Sequence, residues 1–340
     1  MGQSLAVKYR PTSLEEVCGQ RSIVKILSQQ AQSQNLANAY LFCGSSGVGK
    51  TTIARAFASL INKGIGHPIE VDAASHNGVD AVRSLIQGAS ERALDCEYKV
   101  IILDECHALT SQAWQVLLKC LEEPFEFTIF IFCTTDPQKI PSTIINRVQR
   151  FNFQRLPFET VRDRLVHICE CEGYTDYTDA VDYIAKVSDG GMRDAIARLE
   201  KAASYSSTLT LANVMEALGG VSFDDLFTFV DAFVDGKDTE VLNYIEKYHQ
   251  GGGDIRAFVD RLLEFTLDLS KYSIFQSCST TKVPQLYEAR LKYTTSFKNS
   301  TQYFVWLVER LLSIKNALKK DASPRVTFEA MVITACRMPG

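Results

Sequence analysis

The run Gly44-Ser45-Ser46-Gly47-Val48-Gly49-Lys50-Thr51 constrains this chain more than any other stretch. Its spacing is that of a phosphate-binding loop, and its flanks agree. Tyr40-Leu41-Phe42-Cys43 before it reads as a buried strand, and Thr52-Ile53-Ala54-Arg55-Ala56-Phe57-Ala58 after it reads as a helix. Glycines let backbone N–H groups close around phosphates at a helix N-terminus, and that strand–loop–helix setting separates a nucleotide site from an ordinary glycine turn. Residues Ser45, Ser46, Gly47, Val48, Gly49, Lys50, Thr51 and Thr52 are therefore expected to bind a nucleoside triphosphate. Lys50 is placed to reach the β- and γ-phosphates, and Thr51 to ligate Mg²⁺.

A second motif bears on what happens to the triphosphate. Val100-Ile101-Ile102-Leu103 is a continuous apolar run, the pattern of a strand buried on both faces, and it ends in Asp104-Glu105-Cys106-His107. At the carboxyl end of a strand near a phosphate-binding loop, Asp104 can hold Mg²⁺ and Glu105 can orient water and accept its proton. Hydrolysis is expected rather than passive binding.

Further strands are expected at Ile69–Asp72, Lys99–Leu103 and Thr128–Cys133, with a weaker one at Phe151–Phe153. Helices are expected over Val79–Arg92 and Ser111–Leu121. Strands alternating with helices over residues 1–155 predict an α/β domain, a doubly wound parallel sheet with ligands at the carboxyl ends of its strands. Residues 156–219 read as a small helical domain broken near Gly173 and at Gly190-Gly191, and 220–340 as an all-helical domain.

A chain of 340 residues exceeds one ordinary core, and 46% hydrophobic with 22% charged residues is a globular balance. No apolar run reaches the ~20 residues of a membrane span, and no signal-peptide core opens the chain. Ten scattered cysteines without a CxxC pair fit reduced thiols in a cytoplasmic protein. His167, Cys169 and Cys171 lie close in sequence, but the two cysteines fall on different helix faces, so no zinc site is expected there. The net charge of −4 excludes an all-over basic surface, so any nucleic-acid contact must be local or shared among subunits.

Three further segments stand near these motifs. Thr134-Thr135-Asp136 follows a strand expected beside the phosphate-loop strand; a hydroxyl there can reach the γ-phosphate or the attacking water, though such a turn is equally a cap. Arg147, in Ile144-Ile145-Asn146-Arg147, reads in isolation as a solvated arginine. Gly190-Gly191-Met192-Arg193 opens a helix whose Arg193 can bend back onto the triphosphate.

Together these residues resemble the AAA+ clamp loaders. Lys8-Tyr9-Arg10-Pro11 with Glu16-Val17-Cys18-Gly19-Gln20 is similar to the signature that borders the adenine pocket, which implies ATP contacts from Tyr9, Arg10, Val17 and Gly19. Glu70 to Ser75, Leu117 to Pro124 and Thr134 to Lys139 are similar to the bacterial branch, the gamma/tau motor subunits of the DNA polymerase III clamp loader. Ser323-Pro324-Arg325 resembles its collar. The likeness covers most of the chain and is strongest over residues 5–200. It implies a AAA+ ATPase domain, a helical lid and a collar that serves oligomerisation. Glu105 and Asp104 become the hydrolytic pair, Thr135 the sensor-1 residue, Arg193 the sensor-2 arginine and Arg147 an arginine finger acting in trans. It also implies ATP and Mg²⁺ as ligands. The implied partners are a sliding clamp, other loader subunits (delta and delta′ types, in a pentamer) and primer–template DNA gripped by its backbone. No membrane partner is implied.

Two departures stand out. The family usually has Ser-Arg-Cys where this chain has Asn146-Arg147-Val148. The gamma/tau subunits also carry a four-cysteine zinc module between the phosphate-loop helix and the next strand, whereas Asn62–Pro68 here hold no cysteine, so no structural zinc is expected. The chain ends soon after the collar, so the long tau extension is expected to be absent. A compact form of this kind fits a bacteriophage, acting in its host's cytoplasm, or an unusual bacterium. Competing readings are a replication factor C small subunit, a branch-migration helicase, or a non-hydrolysing structural loader subunit. The Glu-Glu-Pro and Thr-Thr-Asp-Pro segments speak against the first two, and the complete phosphate loop with its acidic pair against the third.

Overall fold

Strands β1 (Ala39–Cys43), β2 (Ile69–Asp72), β3 (Lys99–Asp104), β4 (Thr128–Thr134) and β5 (Gln149–Asn152) form one parallel sheet in the order β2-β3-β4-β1-β5. The computed structural model describes residues 3–336 apart from 94, 220 and 320, so the bounds drawn above at 220 and 340 lie outside the described residues. Every residue of β1 and β4 is buried, as the unbroken apolar runs predicted, whereas β2 at the edge is largely exposed. The fifth strand begins two residues earlier than expected and ends at Asn152. Its register is fixed by pairing Tyr40 with Gln149 and Cys43 with Asn152, and this long-range partnership leaves no mark in local composition. The helix expected over Val79–Arg92 ends at Ala89.

Alternation along the strands divides the core into two layers. Tyr40, Phe42, Ile102, Ile131 and Cys133 point to one face, where Ile23 and Leu27 of α2 (Arg21–Ser33, after the short α1, Leu5–Lys8) and Ile53 and Phe57 of α3 (Lys50–Ile61) cover them. Leu41, Ile101, Leu103, Phe130 and Phe132 point to the other. There Val82 of α4 (Val79–Ala89), Trp114 and Leu117 of α5 (Ser111–Glu122) and Ile144 of α6 (Ser142–Ile145) complete the sandwich. Each fully buried Phe, Ile or Leu contributes roughly 1.5–3 kcal/mol of transfer free energy, so the doubly covered sheet is the rigid frame of the site.

The described chain divides into two compact units. The first holds residues up to Cys171 together with Ser188–Glu200, and so includes the sheet, nearly all of α7 (Phe158–Glu172) and the first part of α9 (Met192–Tyr205). The second holds Glu172–Val187, with α8 (Thr178–Val187), and the described residues from Lys201 onward. The second unit is helical: α10 (Leu211–Ala217), α11 (Phe223–Val234), α12 (Asp238–Gln250), α13 (Ile255–Phe275), α14 (Glu288–Thr294), α15 (Ser300–Leu318) and α16 (Pro324–Cys336). Its core is aromatic: Phe227 meets Phe265 edge-on at 4.8 Å, and Phe229 meets Phe258 at 5.2 Å. Arg261 lies over the rings of Tyr183 and Phe223 in this unit, at 5.5 and 4.9 Å. Among the described residues no helix is long and apolar enough to cross a membrane.

Candidate functional site

The phosphate-binding loop leaves β1 between the ends of two neighbouring strands. Gly44 N–H donates to Thr134 O of β4, and Phe153 N–H, just past β5, donates to Cys43 O. A β-carbon on Gly44 would stand 2.7 Å from Phe153 O, so only glycine lets the chain pass. Gly49 has φ +102° and caps α3, a conformation that L side chains adopt at a steric cost. The loop thus delivers backbone N–H groups and the start of α3 to one point, which favours anions through both hydrogen bonds and the helix dipole.

Lys50 is the first residue of α3 and is buried. Its Nζ donates to Gly44 O and Ser45 O, both at 2.9 Å, so the ammonium is folded back under the loop. Thr51 Oγ1 donates to Asp104 Oδ2 at 2.7 Å, and Glu105 N–H donates to Asp104 Oδ1 at 3.0 Å. Glu105 itself has φ +47°, a left-handed turn immediately after β3. Thr135 Oγ1 donates to Glu105 Oε2 at 3.0 Å, and His107 Nδ1 stands 3.3 Å from the same oxygen.

These groups border a cavity of about 500 Å³ in the first unit. Tyr9, Arg10, Val17, Ser46, Gly47, Val48, Gly49, Lys50, Thr51, Thr52, Asp104, Glu105 and Arg193 all line it. Arg193 N–H donates to Gly47 O at 3.4 Å, so the start of α9 sits against the loop. Gly19 and Ser45 lie at the margin rather than on the wall; Gly19, at φ +77°, turns the chain beside Leu156, which does line it. Thr135 reaches the cavity through Glu105. Arg147 stands apart from it: its guanidinium donates to Thr143 O and pairs with Glu122, both at 2.8 Å.

The sequence reading passed over several wall residues. Arg55 lies one helical turn after Thr51, and that i,i+4 spacing was the available signal. It pairs with Glu70 of β2, and both line the cavity. Burial, and then the neighbouring Arg55, hold Arg10 below the usual arginine range. Arg164 donates to Tyr9 O at 2.6 Å, and Leu156, Met192 and Ile196 supply apolar wall together with Val17; no local pattern marks Arg164, Leu156, Met192 or Ile196. Oxygen donors on Thr51 and Asp104, held 2.7 Å apart beside the loop, are the hard ligand type that Mg²⁺ takes, and two carboxylates beside a buried lysine suit a triphosphate–metal pair. Among the described residues no group of three or more histidine, cysteine, aspartate or glutamate side chains is arranged to hold a metal by itself.

This sheet order, phosphate-binding loop and acidic strand end define a P-loop ATPase fold of the AAA+ class. The Holliday junction branch migration motor RuvB of Thermotoga maritima shares it, with a TM-score of 0.53 and 19% identity over 66% of this chain and 79% of that one. Two family models match: DNA polymerase III, delta subunit, over residues 65–157, and DNA polymerase III subunits gamma and tau domain III, over residues 209–339. The chain is 33% identical to the DNA polymerase III subunit gamma/tau of Mycoplasma genitalium, covering 80% of this chain and 50% of that protein. It is 32% identical to the subunit tau of Bacillus subtilis, covering 98% and 63%. Over most of its length the chain is similar to the gamma and tau subunits of DNA polymerase III. It spans roughly half to two thirds of the length of these relatives.

Proposed function

We propose that this chain is the ATP-driven motor subunit of a sliding-clamp loader, hydrolysing ATP to open a clamp and close it around primer–template DNA. The observation that carries the reading is the convergence of Lys50, the Thr51–Asp104 pair and Glu105 on one cavity. Similarity to the gamma and tau subunits of DNA polymerase III supports the biological setting.

In this reading the loop from Ser45 to Thr52 cradles the phosphates, and Lys50 exchanges its two backbone carbonyls for phosphate oxygens. Thr51 and Asp104 would hold Mg²⁺, which would supply charge neutralisation at the phosphate oxygens. Glu105 takes the proton of the attacking water, and Thr135 steadies that carboxylate. The apolar wall of Val17, Leu156, Met192 and Ile196 receives the base, beside Tyr9 and Arg10. Arg193 reads the bound triphosphate from α9, while Arg147, turned away from its own cavity, serves the site of a neighbouring subunit. Residues 1–155, 156–219 and 220–340 act as ATPase, lid and collar in this scheme, and the assembly is a ring-like pentamer with delta- and delta′-type subunits. A spiral of such subunits follows the backbone of primed DNA, so modest basic charge on each suffices.

The RuvB likeness favours no second reading, because at 19% identity it speaks to the fold alone. The deciding experiment measures ATP hydrolysis by the chain with and without a sliding clamp and primed DNA. Stimulation by both together is the expected result; hydrolysis indifferent to clamp and DNA would sink the loader reading.

A further inference from the structure

The turn after β3 carries a residue that the proposed mechanism has not used. Cys106 is fully buried and anchors a single 3₁₀ turn, Cys106–Ala108, whose backbone closes through Ala108 N–H to Glu105 O at 2.9 Å. This fixes His107 against the end of β4, the strand paired with β3. His107 Nδ1 stands 3.3 Å from Glu105 Oε2 and 3.2 Å from Thr134 Oγ1. The Thr134 oxygen is itself held by Asp136 N–H at 3.0 Å. On the other side, Thr135 Oγ1 donates to the same Oε2 at 3.0 Å. Two consecutive residues of β4 and its following turn therefore grip, directly or through His107, one oxygen of one carboxylate. Oε1 makes no hydrogen bond among the described residues.

We infer that His107 is a positioning residue for Glu105: its ring, hydrogen-bonded at Nδ1 to Thr134 Oγ1, stands against Oε2 so that Oε1 is the oxygen presented to the attacking water. The hydrogen bond between Nδ1 and Thr134 Oγ1 fixes the ring plane. With Thr135 donating to Oε2 and the His107 ring against the same oxygen, rotation of the carboxylate about its terminal torsion, otherwise broad and two-fold, is suppressed. A general base must be held within hydrogen-bond reach of its proton, and losing a supporting contact of this kind typically costs ~10–100-fold in activity. The inference rests on the proposed role of Glu105, and its test keeps the two separable.

The test compares His107→Ala, His107→Asn, His107→Gln and Glu105→Gln in the full chain, measuring ATP affinity and turnover under the same conditions. An asparagine amide nitrogen takes the place of Nδ1, whereas a glutamine amide nitrogen takes that of Nε2. His107→Ala and His107→Gln are expected to lose ~10–100-fold in kcat with ATP affinity changed less than ~2-fold, and His107→Asn to recover most of that loss. Adding Thr135→Val to His107→Ala should cost less than the product of the separate losses, since both act on one oxygen. Wild-type turnover in His107→Ala beside an inactive Glu105→Gln would overturn this inference and leave the ATPase reading intact. Equal losses in the Asn and Gln variants, with a lowered melting temperature, would assign His107 to structure alone and overturn it too. Wild-type turnover in Glu105→Gln would remove both readings.

Discussion

Thr51 Oγ1 and Asp104 Oδ2 are 2.7 Å apart, a hydrogen bond that joins the first turn of α3 to the end of β3 across 53 residues of sequence. Each side chain stands where a parallel strand meets a helix or turn, so the contact is a product of sheet order. If the pair holds Mg²⁺, Asp104→Asn should keep the fold and weaken the metal. Turnover should then need a higher Mg²⁺ concentration and fall ~10²-fold or more, with nucleotide binding in the absence of metal preserved. A magnesium titration of ATPase rate checks this, and an unchanged titration curve would remove Asp104 from the metal.

The lysine and the glutamate separate binding from chemistry. Lys50→Ala should abolish tight ATP binding. Glu105→Gln should bind ATP as the parent does and lose ~10²-fold or more in rate. Equilibrium binding of a fluorescent ATP analogue, read beside phosphate release, distinguishes the two. A Lys50→Ala chain that still bound nucleotide tightly would contradict the site.

Arg147 pairs with Glu122 and stands apart from the cavity of its own chain. A trans role then predicts that Arg147→Ala keeps nucleotide binding and loses clamp- and DNA-stimulated hydrolysis, by ~10³-fold or more. Mixing is the sharper measurement. Arg147→Ala chains supply an intact loop, Lys50→Ala chains supply an intact arginine, and interfaces that join the two should regain activity. Verified mixed assemblies that stayed inactive would point to a surface arginine.

The short Asn62–Pro68 segment predicts a protein without structural zinc. Elemental analysis should find well below one zinc per chain, and a chelator should leave the melting temperature unchanged. Tightly held stoichiometric zinc would show that histidines and cysteines distant in sequence assemble into a site.

In the helical unit, Asp268 of α13 is buried, and its Oδ2 accepts from Lys282 N–H at 2.9 Å. Burial pushes its carboxyl above the ordinary range, against the opposing pull of that hydrogen bond and of Lys271, Lys282 and Arg261. A carboxyl whose folded pKa is raised favours the fold most when protonated, and this contribution is lost as pH rises through the folded value. Asp268→Asn keeps an acceptor for Lys282 without the charge. It should raise the melting temperature at neutral pH, by roughly 2–4 °C for each kcal/mol recovered. The gain should shrink toward acid pH. Thermal scans across pH test it, and a variant less stable at neutral pH would show that the charge is a net benefit.

The sequence by itself determined the phosphate-binding loop, the acidic strand end and the central strands. These are local patterns, in which glycines at set positions permit one backbone path and uninterrupted apolar runs permit only burial on both faces. It also carried the resemblance to the gamma/tau subunits, since Glu70 to Ser75 and Leu117 to Pro124 are read as strings. Only the tertiary structure decided which side chains meet. The fifth strand took its bounds from pairing with β1, and Arg55 met Glu70 because β2 lies within reach of α3. Leu156, Arg164 and Ile196 became cavity wall through chain segments that return from more than a hundred residues away. His107 is the clearest case. In sequence it follows the acidic pair as one more polar residue, and its orientation toward Glu105 Oε2 comes from a buried cysteine, a 3₁₀ turn and the neighbouring end of β4. Local rules set what the backbone can do at each position, whereas contacts across the sheet are fixed by strand order and register, which no single stretch of sequence contains.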